Sequence, residues 1–235
     1  MFSGSYAGYI VITLIFTGLG MYLSNKLRRK FQHYQQFSLG NGMSGQEVAE
    51  AMLNHYGIHD VKIVEGRGTL TDHYNPLSKT VSLSPDVYRG RNVSAAAVAA
   101  HECGHAVQHA TAYTWLQFRS AIVPIVSIAT RAQQFLLMAG LGLFGLGNNP
   151  TVLLLTVAVF GITALFSLVT LPVEFDASRR ALAWLNESSV ARGREYDGAK
   201  DALKWAAMTY VAAALNALAL LIFFLMRYLA MTNDD

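Results

Sequence analysis

Cysteine is nearly absent from this chain of 235 residues, with Cys103 its one representative. A single thiol excludes an internal disulfide framework and a Cys-x-x-Cys metal knuckle. Charge is scarce as well. Only 14% of residues are Asp, Glu, Lys or Arg, against 53% hydrophobic, where a typical soluble domain carries roughly 25% charged residues. The shortage is uneven: 15 charged residues fall in 26–92 and 12 in 174–204, while 1–25, 132–173 and 205–226 hold none. A water-soluble globule does not leave such stretches uncharged, so that class is excluded. The net charge of +3 does not point to nucleic acid, because membrane topology accounts for it.

The uncharged stretches read as four spans. The first, 6–23, has 18 residues, close to the ~20 a helix needs to cross hydrocarbon. No basic region precedes it and Lys26-Leu27-Arg28-Arg29-Lys30 follows, the reverse of a cleavable signal peptide. It is expected to be a retained anchor with its N-terminus outside. The second run, 120–147, would be a helix about 42 Å long, expected to be interrupted by Arg131, Gln133 and Gln134. Arg131 is either a headgroup-level residue or an intramembrane group facing a polar cavity. A turn cluster, Gly145-Leu146-Gly147-Asn148-Asn149-Pro150, separates it from a third run, 151–171, and the last run is 206–229. Fifteen of the 18 Lys and Arg residues occupy the two charged segments. The positive-inside rule then places both segments on the cytoplasmic side, with Asn148 and both termini expected outside.

The first charged segment has the signals of a folded subdomain. Ser44-Gly45-Gln46-Glu47 is a capping box, opening a helix with Val48, Met52, Leu53 and Tyr56 on one side and Gly57 as its stop. Strand character appears at 61–64, 69–74 and 80–83, with an Asn75-Pro76 turn between the last two. Ser84-Pro85 suits a short helical turn, and an alanine-rich helix begins near Ser94.

That helix carries His101-Glu102-Cys103-Gly104-His105. Positions i and i+4 of a helix lie one turn apart on one face, so both imidazoles reach one tetrahedral Zn²⁺, and the glutamate between them can take a proton from water. Two histidines and a glutamate in an otherwise apolar helix are costly unless something binds them. A catalytic zinc takes three protein ligands. His109 is about 12 Å along the axis from His101, too far to share the ion, and reads as a supporting or solvent-facing residue. Cys103 points to the far side of the helix and reads as a packed thiol. The better third ligand is Glu174, in Leu171-Pro172-Val173-Glu174-Phe175-Asp176. A short outer hairpin makes the second and third spans antiparallel neighbours, which returns this segment to the motif helix. Pro172 could bend the helix and aim the carboxylate, and Asp176 is the competitor on a different helical face.

Three strings carry a resemblance: Leu70-Thr71-Asp72-His73-Tyr74-Asn75-Pro76, Ala99-Ala100-His101-Glu102-Cys103-Gly104-His105-Ala106-Val107-Gln108, and Leu171-Pro172-Val173-Glu174-Phe175. With them the chain, over nearly its whole length, resembles the YugP-type membrane zinc metallopeptidases, which are distantly similar to the HtpX-type proteases of the gluzincin group. The resemblance implies one Zn²⁺ per chain held by His101, His105 and Glu174, with Glu102 as catalytic base. The HtpX-type pattern reads Glu-x-x-Ala-Asp, whereas Ser178 stands here at the Asp position, so the carboxylate that supports a ligand histidine has no counterpart there.

The expected fold is therefore a mainly α integral membrane protein. It has four transmembrane helices plus a small α+β cytoplasmic zincin-like domain carrying the His-Glu-x-x-His helix. The expected divisions are an anchor (1–25), the zincin-like subdomain (26–118), a transmembrane hairpin (119–173), a cytoplasmic segment with the third ligand (174–205), and a last span with a short outer tail (206–235). The expected activity is zinc-dependent endopeptidase cleavage of a peptide or membrane-protein substrate at the cytoplasmic face of a bacterial plasma membrane. Asp72, His73 and Tyr74 lie on a strand expected to border the cleft. His73, Tyr74 and Arg180 are candidates for binding an oxyanion or the substrate, Arg179 being a weaker one. Asn216 reads as an interhelical hydrogen-bonding residue. The competing classes are a membrane scaffold with a structural zinc and a transporter. Only Arg131, Gln133, Gln134 and Asn216 are candidate pathway residues for the latter, and no pair of discontinuous helices accompanies them.

Overall fold

The computed structural model describes residues 2–142, 145–146 and 149–233; Asn148 and Asp235, both expected outside, lie beyond these described residues. The chain is mostly helical with one small sheet: α1 (Phe2–Gln35), α2 (Gly45–His55), β1 (Lys62–Glu65), β2 (His73–Asn75), β3 (Thr80–Leu83), α3 (Pro85–Tyr88), α4 (Val93–Ala110), α5 (Thr114–Gly140), α6 (Pro150–Glu187) and α7 (Arg194–Thr232). Four helices, α1, α5, α6 and α7, are long and apolar enough to cross a membrane. The residues group into two compact units, Met1–Tyr22, Phe118–Leu171 and Thr209–Asp235 in one, Leu23–Gln117 and Pro172–Met208 in the other.

The first unit is built of apolar helix. Leu14, Ile128, Phe135 and Met226 are exposed on it, an arrangement that water penalises and hydrocarbon accepts. Its small core stacks Phe160 on Phe224 at 5.0 Å, with Leu141 and Leu153 beside them. The Thr156 hydroxyl donates to Val152 O on its own helix and reaches Leu136 O of α5 at 3.2 Å. Two expectations are corrected here. The second apolar helix runs 114–140 rather than 120–147, because Gly140, Gly142 and Gly145 end it early; Gly142 and Gly145 adopt positive φ. Arg131, Gln133 and Gln134 do not interrupt it, and the Arg131 side chain is exposed. Asn149 caps α6, its side chain accepting from the Thr151 and Val152 amides, and Pro150 takes the first position, where a missing N–H costs nothing.

The second unit wraps a mixed sheet and the two shorter helices α2 and α3 around α4. β3 is central, parallel to β1 and antiparallel to β2. The expected capping box at Ser44 is complete, with both reciprocal hydrogen bonds made. Val48, Met52 and Leu53 are buried, but Tyr56 is 38% exposed because the helix ends at His55 and Gly57 turns the chain with φ +66°. The expected strand 69–74 shrinks to His73–Asn75. Gly68 and Leu70 both have positive φ, which extended pairing does not permit, and the Asp72 carboxylate is spent on the Ser84 amide at 2.7 Å. Asn75 closes the β2–β3 turn by accepting from the Leu77 and Ser78 amides.

Helix α4 is almost wholly buried from Val93 to Gln108. Its alanines let neighbours approach closely on every side, which a helix of larger residues would forbid. Asn92 caps it by accepting from the Ala95 amide. Helix α6 has 38 residues, well beyond the ~20 that a span needs. Its apolar run ends at Leu171, yet the helix continues without a break through Pro172. That continuation belongs to the second unit and carries Glu174.

Candidate metal centre

Two helices make the site. On α4, His101 and His105 stand one turn apart with ring centroids 4.8 Å from each other. On α6, Glu174 is 3% exposed and sends Oε2 to within 3.4 Å of His101 Nε2 and 3.6 Å of His105 Nε2. The ligand atoms of all three residues lie within 4.8 Å of one another. A tetrahedral zinc with bonds of about 2.05 Å would hold its ligand atoms about 3.3 Å apart, and the two separations from Glu174 Oε2 to the imidazole nitrogens come close to that value. Two neutral nitrogens and one carboxylate are also the donor set that catalytic zinc sites use.

The two helices meet at Gly104. A Cβ built there would lie 2.6 Å from Ala177 O, so only glycine permits α4 and α6 to approach at this level. Ala177 and Ala181 on the facing helix are fully buried. The glycine inside the motif thus brings the histidines of one helix to the glutamate of the other.

Each histidine is held from behind. His101 Nδ1 is 3.1 Å from Ser178 Oγ, and His105 Nδ1 is 3.0 Å from Gln108 Oε1. Gln108 is fully buried and donates to Val173 O at 2.7 Å and to Asp176 Oδ2 at 3.0 Å. Burial alone would lower the His105 pKa; the Glu174 carboxylate beside it reverses this and raises it. Glu102 is also buried, at 8% exposure, one residue from His101.

The other candidates in this unit have partners of their own. Cys103 is buried on the opposite side of α4, its thiol against Ala49 O of α2 at 3.6 Å, and burial pushes its pKa well above the ordinary thiol range. Tyr74 hydrogen-bonds His109 Nδ1 at 2.8 Å, and His73 Nδ1 lies 2.8 Å from Thr71 O. Arg180 Nε donates to Asp176 Oδ2 at 2.6 Å, Arg179 pairs with the other oxygen, and the Arg180 guanidinium also lies over the Tyr113 ring. Asp176 therefore contacts Gln108 and the arginines. Sequence reasoning missed Gln108 and gave Ser178 no role of its own. The signal was spacing: Gln108 follows His105 by three positions and Ser178 follows Glu174 by four, both same-face separations on a helix.

Four membrane-length helices and a two-histidine, one-glutamate cluster are the features that a membrane zinc peptidase requires. The family described as "Putative neutral zinc metallopeptidase" matches residues 9–229, and this chain belongs to it. The chain is also 40% identical over 226 residues to a Bacillus subtilis (strain 168) protein described as "Putative membrane protease YugP", covering 94% of this chain and 96% of that one. No solved structure gives a significant match.

Proposed function

We propose that this protein is a zinc endopeptidase that cleaves peptide or membrane-protein substrates at the cytoplasmic face of a bacterial plasma membrane. Family membership and the membrane-protease relative support proteolysis. The observation that carries the assignment to particular residues is the convergence of the His101, His105 and Glu174 ligand atoms within 4.8 Å of one another. In this reading His101 and His105 contribute Nε2 and Glu174 contributes Oε2 to one zinc per chain, and the second unit is a small zincin-like domain. The cytoplasmic assignment, with both termini outside, rests on the concentration of Lys and Arg in 26–92 and 174–204.

When bound, zinc supplies Lewis acidity and lowers the pKa of a coordinated water. The Glu102 carboxylate accepts a proton from the attacking water and passes it to the leaving amine nitrogen. Its burial on α4 strengthens that exchange by excluding bulk water. Ser178 and Gln108 hold the imidazoles in place during the cycle, and Gly104 holds the two helices together. The test is proteolysis of an unstructured protein by the purified full-length chain, alongside Glu102→Gln. Zinc content is expected to stay at one per chain in the variant while hydrolysis disappears. Full activity in Glu102→Gln would refute the assignment of the base.

A further inference from the structure

We propose that Gln108 and Asp176 select the tautomer of His105, and so determine that its Nε2 is the nitrogen offered to the metal. The inference rests on the zinc site proposed above. Gln108 is fully buried, so no water substitutes for its partners. Its amide nitrogen faces Val173 O at 2.7 Å and Asp176 Oδ2 at 3.0 Å. A carbonyl and a carboxylate both accept, so both N–H groups of Gln108 are spent on them and its orientation is determined. What remains toward His105 is Oε1, 3.0 Å from Nδ1. An amide oxygen can only accept, so Nδ1 carries a proton. Nε2, on the Glu174 side of the ring, is then free to present a lone pair.

The polar chain is anchored at its far end. Asp176 is 4% exposed and is gripped by Arg180 Nε at 2.6 Å and by Arg179. Every donor direction from Arg180 through Asp176 and Gln108 to His105 is therefore determined. His101 is held differently. Its Nδ1 faces the Ser178 hydroxyl at 3.1 Å, and a hydroxyl both donates and accepts, so it imposes no tautomer. The two ligand histidines are thus unequal: His105 is locked from behind by an acidic chain, and His101 is only steadied. The carboxylate that Ser178 does not provide for His101 is supplied by Asp176, through Gln108, to the other histidine.

The experiment measures zinc affinity of the purified full-length protein by chelator competition, with thermal melting of each zinc-free variant as a control for folding. Gln108→Met keeps the volume and removes the acceptor; it should weaken zinc binding roughly 10- to 100-fold, the range for loss of a group that orients a ligand. Ser178→Ala should cost less. Gln108→Glu restores an acceptor but faces the Asp176 carboxylate, so it should bind zinc poorly, and adding Asp176→Asn should recover much of the loss. Nitrogen NMR of the zinc-loaded protein should show His105 protonated at Nδ1. Wild-type affinity in Gln108→Met, no relief of Gln108→Glu by Asp176→Asn, or Nδ1 as the bound nitrogen would each overturn the proposal. Failure of the wild-type protein to bind zinc would instead defeat the site reading beneath it.

Discussion

Gly104→Ala is the most direct probe of how the two ligand-bearing helices are joined. The added Cβ would stand 2.6 Å from Ala177 O and 3.1 Å from both its carbonyl carbon and Cα. Even a close C–H···O contact lies at about 3.3 Å, so α6 must retreat by about 0.7 Å at this level. The obstacle is backbone rather than the tip of a flexible side chain, so it cannot swing aside. Glu174 lies one turn before Ala177 on the same helix and moves with it. Zinc sites tolerate deviations of only about 0.2 Å in their bond lengths. Overpacking of this kind costs about 1–3 kcal/mol. If the zinc-free variant relieves the strain by letting the helices part, that cost falls on metal binding, a loss of about 5- to 150-fold. The assay is zinc affinity by chelator competition together with the melting temperature of zinc-loaded and zinc-free protein. Cys103→Ala, on the face of α4 against Ala49, serves as control and should leave zinc affinity unchanged. Wild-type zinc affinity and melting temperature in Gly104→Ala would refute the claim that this contact sets the site.

Glu174→Ala removes the cluster's only anion and should lose zinc on dialysis, with excess zinc restoring activity only in part, whereas His109→Ala should retain one zinc per chain. Metal loss in His109→Ala with Glu174→Ala unaffected would reverse the ligand assignment. Asp176→Ala should lie between them, because it acts on the site through Gln108; zinc content equal to that of Glu174→Ala would make it a ligand instead. Chelation should lower the melting temperature of the wild-type protein and barely change that of Glu174→Ala, since stabilisation by a ligand follows its occupancy. In a Cys103→Ala background, cysteines placed at Asn54 and Glu187 should be labelled only from the cytoplasmic side and one at Asn149 only from outside; labelling of Asn54 and Asn149 from the same side would break the four-span arrangement.

Much of this protein was legible in the linear chain because its strongest signals are local. Four long apolar runs, poor in charge, reflect the cost of placing charge in hydrocarbon, and that cost is paid residue by residue, so the spans needed no tertiary knowledge. The capping box at Ser44, the turn at Asn75 and the alanine-rich helix leading to His101 are likewise written within a few positions. The pairing of two histidines one turn apart follows from helical period alone. Limits of elements were less secure: the second apolar helix ended earlier than its pattern suggested and the strand expected at 69–74 came out as His73–Asn75, because left-handed residues at Gly68, Leu70 and Gly142 override the pattern around them. What only the folded chain decided is how α4 meets α6. Ser178, Gln108 and Asp176 are ordinary polar residues in sequence, and their partners lie 65 to 77 positions away. Hydrogen bonds across such distances depend on the approach that Gly104 permits, and that approach is a property of two packed surfaces that neither helix specifies alone.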